Sequence, residues 1–444
     1  MSAPISPAAP APRRSTGPVA KPAPGAGDGW GWPLAAYGTL RMPLALLELP
    51  LFVFLPAFYG GTLGVDLAVV GFVLLAARLL DAIADPLIGR AVDRSRTRAD
   101  QLRWIRVAVP FLAIGFAAML MPPVGQAWLP AWLAATSLLT YLAYSAVSIA
   151  YQAWGAGIGT TAHERARVTA VREGFGLVGV LAAAALLASG DAHALVAAFV
   201  GLAAVALLFI GRGPRPAASS GEAGPLLAWG DLLRRRPFRW LMSAFVLNGI
   251  ATAMPATLVL FFVRDVLGGD DRSAAVFLAA YFIAGAVGMP LWVFLARRAG
   301  LRNAWLLGIA FAVLAFVWAL SLGRGDTTAF FLVCVLTGLA LGSDLAIPPA
   351  LLAGVIADAG HRGRGEGSYF GLWNLATKAN LAVAAGISLP LLAWMGYTPG
   401  QPGEALGLSL AYAAVPCALK LAAGLVVLLA PLPDDSHNTD EAAA

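Results

Sequence analysis

The sequence predicts an all-α polytopic membrane protein with twelve transmembrane helices in two pseudo-symmetric six-helix bundles. Three observations predict it. Of 444 residues, 59% are hydrophobic and 12% charged, and apolar runs of about 20 residues, the length that crosses a bilayer core, recur from Trp32 to Pro431. Arginine is spread unevenly between alternate connections. Finally, a shift of 204 positions places Leu63 and Gly64 on Leu267 and Gly268, Pro86 on Pro290, and Arg98 on Arg302.

Spans are expected at 32–57, 66–90, 104–122, 130–154, 168–189, 193–211, 240–263, 273–295, 304–322, 328–356, 368–396 and 406–430. The even-numbered connections carry nineteen arginines, the odd ones only Arg264, Arg272 and Arg324. Basic residues are retained on the cytoplasmic side, so both termini are expected inside an integral protein of the plasma (inner) membrane. The net charge of +6 and pI of 9.6 then describe topology, and no nucleic-acid partner is expected. The expected surroundings are the lipid bilayer and the expected state a monomer.

Residues 1–28 hold seven prolines and lack the compact apolar core of a cleavable signal peptide, which predicts a disordered cytoplasmic tail. Residues 29–211 form the first expected bundle and 240–431 the second. Between them, 212–239 is rich in Gly, Pro, Ser and Ala before a basic run, as a cytoplasmic linker would be. Residues 432–444, with Asp434, Asp435, Asp440 and Glu441, read as an acidic cytoplasmic tail. Cys334 and Cys417 both fall within predicted spans, and the four histidines lie in loops, span ends or the tail. That pattern offers no disulfide framework, metal site or converging catalytic set, so neither an enzyme nor a cofactor is expected.

The run RLLDAIADPLIGRAVDRSRTR places Arg78, Asp81 and Asp85 on one face of the second helix. An ionised side chain at the centre of a membrane helix costs about 2.5–3.5 kcal/mol, so such a cluster survives where its members pair or face water. It reads as a transport site. The 204-residue shift carries the three onto Phe282, Gly285 and Met289. The duplicate keeps the helix and drops the charges, which favours a functional site over a structural ion pair. Asp93, Arg94 and Arg98 after helix 2, with Arg297 and Arg298 after helix 8, are gating candidates. Their basic groups are expected to cap helix ends and meet acids across the halves, the plain alternative being positive-inside topology.

DAIADPLIG, with Arg78 before it and DRSRTR after it, resembles the glycoside-pentoside-hexuronide:cation symporters, the melibiose permease-like branch of the major facilitator superfamily. HERARVTAVREGFGLVG after helix 4 and RGEGSYFGLWNLATK entering helix 11 agree. The resemblance spans nearly all of residues 30–430 and implies the twelve-helix major facilitator fold. It further implies cation-coupled symport of a sugar, glycoside or related polar solute by alternating access, the coupling ion being Na⁺ or H⁺.

Carried over residue by residue, the resemblance makes Asp81 and Asp85 the cation carboxylates, Lys378 the helix 11 lysine facing them, and Arg172 a helix 5 arginine on the sugar side. Arg78, one turn from Asp81, is expected to neutralise it when no cation is bound. Two family acids are missing: the helix 1 position is Ala45, with Glu48 three residues on, and the helix 4 position is Ser148. Glu48 and Arg41 in helix 1, Asn248 in helix 7 and Asp344 in helix 10 are polar groups placed to compensate, although Arg41 and Lys420 also suit snorkelling or structural pairing. Trp373, Asn374 and Tyr369 around Lys378, with Tyr144 and Gln152 on helix 4, are candidate solute contacts. Two rival readings keep the fold: a carrier of lysolipid-like amphipaths, motivated by the missing acids, and a non-transporting sensor or scaffold.

Overall fold

A computed structural model describes residues 31–55, 58–94, 97–187, 191–215, 229–363, 365–395 and 405–432. The expected tail 1–28, the expected tail 432–444 beyond Leu432, and part of the expected linker lie outside these residues. Every regular element among the described residues is helical. In chain order they are α1 (Gly31–Gly38), α2 (Arg41–Leu49), α3 (Leu67–Asp93), α4 (Arg98–Leu120), α5 (Leu129–Ile158), α6 (Ala162–Leu187) and α7 (Ala192–Phe209). After a short α8 (Trp229–Arg234) come α9 (Arg236–Phe261), α10 (Asp271–Phe316), α11 (Thr327–Asp358), α12 (Glu366–Trp394), α13 (Ala405–Ser409) and α14 (Val415–Leu429).

Local chemistry sets the ends. α4 starts at Arg98, ahead of the expected 104, because Thr97 and Asp100 form a reciprocal capping box. Asp191 and Asp270 cap α7 and α10 through their carboxylates. The expected first span is broken into α1, α2 and π-helical turns beginning at Pro50, where proline removes a backbone donor. α10 contains two expected spans and turns at Gly300, whose φ of 81° suits glycine. Among the described residues, nine helices are long and apolar enough to cross a membrane, α10 counted once. α3, which carries Arg78, Asp81, Asp85 and Arg90, is not in that group.

The internal repeat is visible in the backbone. Phe58–Thr62 and Phe262–Val266 are both π-helical turns, and each leads into a glycine of positive φ, 70° at Gly64 and 72° at Gly268. Their closing bonds correspond across the 204-residue shift. Leu63 and Val65 donate to the carbonyls of Phe58 and Tyr59, and Leu267 and Gly269 donate to those of Phe262 and Val263. The repeat therefore preserves a specific turn that needs glycine. The core divides in the same way. One buried cluster runs from Leu34 to Ile210; the others draw on Leu232 to Leu432, joined only by Ala156 and Ala166 from α5 and α6.

α3 shows how sequence period becomes placement. Phe72, Leu75, Leu79, Ile83 and Leu87 are exposed along one face, while Leu74, Ala77, Asp81 and Asp85 are buried along the other, the 3.6-residue period of a helix between lipid and protein. The buried face meets α12. α6 packs against α10 and α11, and α5 against α12, so these helices join the halves. The α3–α12 approach is tight because glycine lines it. A Cβ on Gly371 would stand 2.7 Å from the Asp85 carbonyl oxygen, and one on Gly89 would overlap the Gly367 carbonyl. Small residues are what allow membrane helices to pack backbone to backbone.

Gly89→Val and Gly371→Val are each expected to destabilise the protein by about 1–3 kcal/mol through overpacking. Gly71→Val on the same helix, where a Cβ meets nothing within 4 Å, should leave the melting temperature in detergent nearly unchanged. Equal effects of all three would contradict the close crossing.

Candidate transport site

The charges of α3 meet a single cation from the other half. Lys378 Nζ on α12 lies 2.5 Å from Asp81 Oδ2 and 2.7 Å from Asp85 Oδ2. It also donates to Ser145 Oγ on α5 at 2.9 Å, and Ser145 donates to Asp81 Oδ1 at 2.7 Å. The Asp85 side chain is 0% exposed and that of Asp81 6%, whereas Lys378 keeps 27%, so the lysine marks the open side of the cluster. Asp85 Oδ1 accepts no hydrogen bond among the described residues. Two carboxylates against one ammonium leave one negative charge to balance. Three clustered oxygen-bearing groups, Asp81, Asp85 and Ser145, are hard donors that fit a monovalent cation, and the carboxylate pair is equally able to share a proton.

Arg78 has a backbone partner in this conformation. It reaches back from α3 to donate to the Leu51 carbonyl at 3.3 Å, and Asp81 takes its cation from α12. Ser145 was not among the expected residues. It lies one turn before Ser148 on the same face, and YSAVS carried that spacing.

A second polar network lies within the first half. Arg41 on α2 contacts Glu48 Oε1 at 2.6 Å and Glu173 Oε2 on α6 at 3.3 Å, and Arg172 holds Glu173 Oε1 at 2.7 Å. Tyr144 donates to Glu48 Oε1 at 2.5 Å. Two acids and two arginines balance. Glu48 thus belongs with Arg41 and Arg172, away from the Asp81 cluster, and Glu173 completes the set. Glu173 stood in the quoted VREGF motif, where an acid beside an arginine inside an apolar helix was the available signal.

Gln152 and Asn374 bridge the halves: Gln152 Nε2 donates to Asn374 Oδ1 at 3.1 Å and to Ser148 Oγ at 2.8 Å. A cavity of about 260 Å³ adjoins them, with Gln152, Thr169 and Arg172 on one side and Pro349, Ala353 and Phe370 on the other. Trp373 is buried and stacks on Phe245 of α9, ring centroids 3.6 Å apart, and Tyr369 is buried against Phe238 and His361. Both pack within the second half, where solute does not reach them in this conformation. Asn248 and Asp344 also fall outside the Asp81 cluster. They face α14 inside the second half, where Lys420 Nζ lies 2.8 Å from Asn248 Oδ1 and 2.8 Å from Asp344 Oδ2.

Of the gating candidates whose side chains are described, Asp93 ties the halves. It accepts from the Gly367 and Ser368 amides at 2.6 and 2.8 Å and from the Ser368 hydroxyl, so a carboxylate of the first half caps the N-terminus of α12 in the second. Arg362 adds a bond to the Gly159 carbonyl across the same face. The expected basic contacts do not form: Arg94, Arg297 and Arg298 are exposed with no acidic partner among the described residues. Arg298 instead lies over the Phe294 ring at 4.6 Å. Near the turn at Gly300, α10 carries these side chains into solvent. The Arg98 side chain lies outside the described residues.

Two outcomes follow from this geometry. Glu173→Gln leaves two buried guanidiniums with one acid and should cost about 3–5 kcal/mol in thermal unfolding, which Arg172→Met in the same chain should partly restore. Asp93→Asn weakens charge-assisted bonds to the α12 amides, about 1.5–3 kcal/mol. Spin labels at Ala99 and Arg298, one in each half, should then report a larger population with that face open; an unchanged distance distribution would contradict the tie.

Known proteins place this geometry. The family described as MFS/sugar transport protein matches residues 36–434. A glucuronide carrier protein homolog of Escherichia coli (strain K12) is 26% identical over 426 residues, 86% of this chain and 88% of the relative. An isoprimeverose transporter of Lactiplantibacillus pentosus is 23% identical, covering 80% and 78%. A sodium-dependent lysophosphatidylcholine symporter 1-A of Danio rerio is 23% identical, covering 80% and 77%. A bacterial homologue of the iron transporter ferroportin, solved in an outward-facing state, superposes with a TM-score of 0.65 at 16% identity, over 89% of this chain and 98% of that one, which shares the fold. The chain is therefore an integral membrane protein of the MFS/sugar transport protein family, a transporter and not an enzyme.

Proposed function

We propose that this chain is a cation-coupled symporter of a sugar, glycoside or similarly hydroxylated solute in the plasma (inner) membrane, with the arginine-rich face and both termini in the cytoplasm. The observation that carries the reading is the placement of Lys378 between Asp81 and Asp85. The cluster joins the two halves, sits out of lipid and has one uncompensated negative charge. A Na⁺ ion or a proton supplies the missing positive charge.

In this mechanism the coupling cation competes with Lys378 for the carboxylates. Loading it loosens the lysine from α3, and the freed ammonium and the Gln152–Asn374 bridge beside it become available to solute hydroxyls. Arg41, Glu48, Arg172 and Tyr144 form the opposite polar wall. The solute completes hydrogen bonds that cation loading has broken, so each ligand tightens the other by the same factor. The arginine distribution supports the orientation, and the named substrates of two relatives, a glucuronide carrier homolog and an isoprimeverose transporter, support the solute class. The amphipath reading has the lysolipid symporter relative behind it, but the groups around Lys378 are charged or amide-bearing and suit a polar solute better.

The test is uptake into proteoliposomes of labelled glucuronides and pentose-containing disaccharides under an imposed Na⁺ or proton gradient. Wild-type protein should accumulate one of these solutes above equilibration with one of the ions. Asp81→Asn and Asp85→Asn should abolish accumulation while the protein still folds, and Lys378→Met should uncouple the solute from the ion. Undiminished accumulation in both aspartate variants would refute the assignment.

A further inference from the structure

A further cavity lies elsewhere. About 840 Å³ of space sits inside the second half, and all its lining residues fall between Ala251 and Lys420. It is unrelated to the Asp81 cluster, since neither α3, α5 nor α12 contributes to it. Phe277, Phe282 and Phe316 of α10 give it aromatic walls, and Tyr281, Tyr412 and Lys420 bring polar atoms. The polar end is a built structure. Lys420 and Asp344 form an ion pair at 2.8 Å with both side chains 11% exposed. Asp344 Oδ1 accepts from Trp305 Nε1 at 3.2 Å, and Lys420 donates to Asn248.

Counting donors at this end leaves some over. The Asp344 oxygens are each engaged, whereas an ammonium has three N–H groups and Lys420 uses two. The Tyr281 and Tyr412 hydroxyls line the space and have no hydrogen-bond partner among the described residues. Polar groups among apolar walls cost free energy when left unmet, so the cavity is matched to a ligand that carries acceptors at one end.

We propose that this cavity is a second ligand site that takes an uncharged, ring-bearing molecule with a carbonyl or hydroxyl group at one end. The acceptor meets Lys420 and the two tyrosine hydroxyls, and the rings lie among Phe277, Phe282 and Phe316. Offset or edge contacts between rings favour an aromatic body. Charge excludes an ion. Asp344 and Lys420 already cancel, and an added charge would be buried without a counterion. Because the walls belong to one half, occupancy does not depend on the transport site.

Prodan, an uncharged naphthyl ketone, tests this on the full chain in nanodiscs. It should bind saturably and one to one, above the partition into empty nanodiscs. In a Cys417→Ser background, where Cys334 on the cavity wall is the remaining cysteine, it should slow alkylation of Cys334 by N-ethylmaleimide. Thr337→Trp and Ala256→Phe fill the cavity from different helices and should each weaken binding about tenfold or more, and Asp81→Asn should leave it unchanged. No saturable binding would overturn the proposal, as would binding that survives both filling variants, or loss with Asp81→Asn, which would assign the probe to the transport site. Should one filling variant fail to fold, the other and the Cys334 protection decide.

Discussion

One ammonium group against two carboxylates is the interaction on which the rest of this structure depends. Asp81 and Asp85 are buried on a helix whose opposite face is committed to lipid, and a lone buried carboxylate at that depth would carry a large desolvation cost. Lys378 is therefore a condition for placing α3 where it lies, and it comes from the other half of the molecule. The glycines at the α3–α12 crossing follow from the same need. Without Gly371 and Gly89 the backbones would stand too far apart for a lysine to reach both acids while also contacting Ser145.

The two halves share geometry and differ in chemistry. Their corresponding π-helical turns end at Gly64 and Gly268 with nearly equal φ, because a left-handed position admits little besides glycine and substitution is penalised in each copy separately. Charge is under no such rule. The first half carries its ions on α2, α3 and α6, those of α3 meeting the other half at Lys378; the second holds Asp344 and Lys420 inside its own bundle. Backbone constraints thus keep a duplicated frame in register while the ionic content of each copy diverges.

This division explains what could be read from the sequence. Helix existence, the repeat and the Asp81–Asp85 cluster were legible because each rests on a strong term: hydrophobic length, glycine stereochemistry, the cost of buried charge; that Lys378 faces the cluster was what the family resemblance implied. Contacts decided by three-dimensional reach were not. Arg78 stands one turn from Asp81 yet bonds the Leu51 carbonyl, since helical spacing fixes a face and leaves the direction of a long side chain open. Asp344 was seen as polar and out of place, but its partner Lys420 lies 76 residues away in the chain. Arg94, Arg297 and Arg298, expected to close the basic face, meet no acid among the described residues; a helix N-terminus offers amides to a carboxylate, and Asp93 takes that partner.

The proposed coupling also follows from where the two ties lie. Asp93 holds α3 to α12 at the arginine-rich end through backbone amides, a contact the coupling cation does not touch. Lys378 holds the same helices together deeper in the membrane through charges that the cation does touch. Opening the arginine-rich face requires both to yield. With both carboxylates ionised and Lys378 alone to balance them, separating the halves would leave an unpaired lysine and two unpaired acids in a medium of low dielectric. With a cation seated on the acids, the first half keeps one negative charge in place of two as they part, and solute hydroxyls solvate the lysine on the second. Rocking of the halves is then less costly when both ligands are aboard, which is the coupling that symport requires.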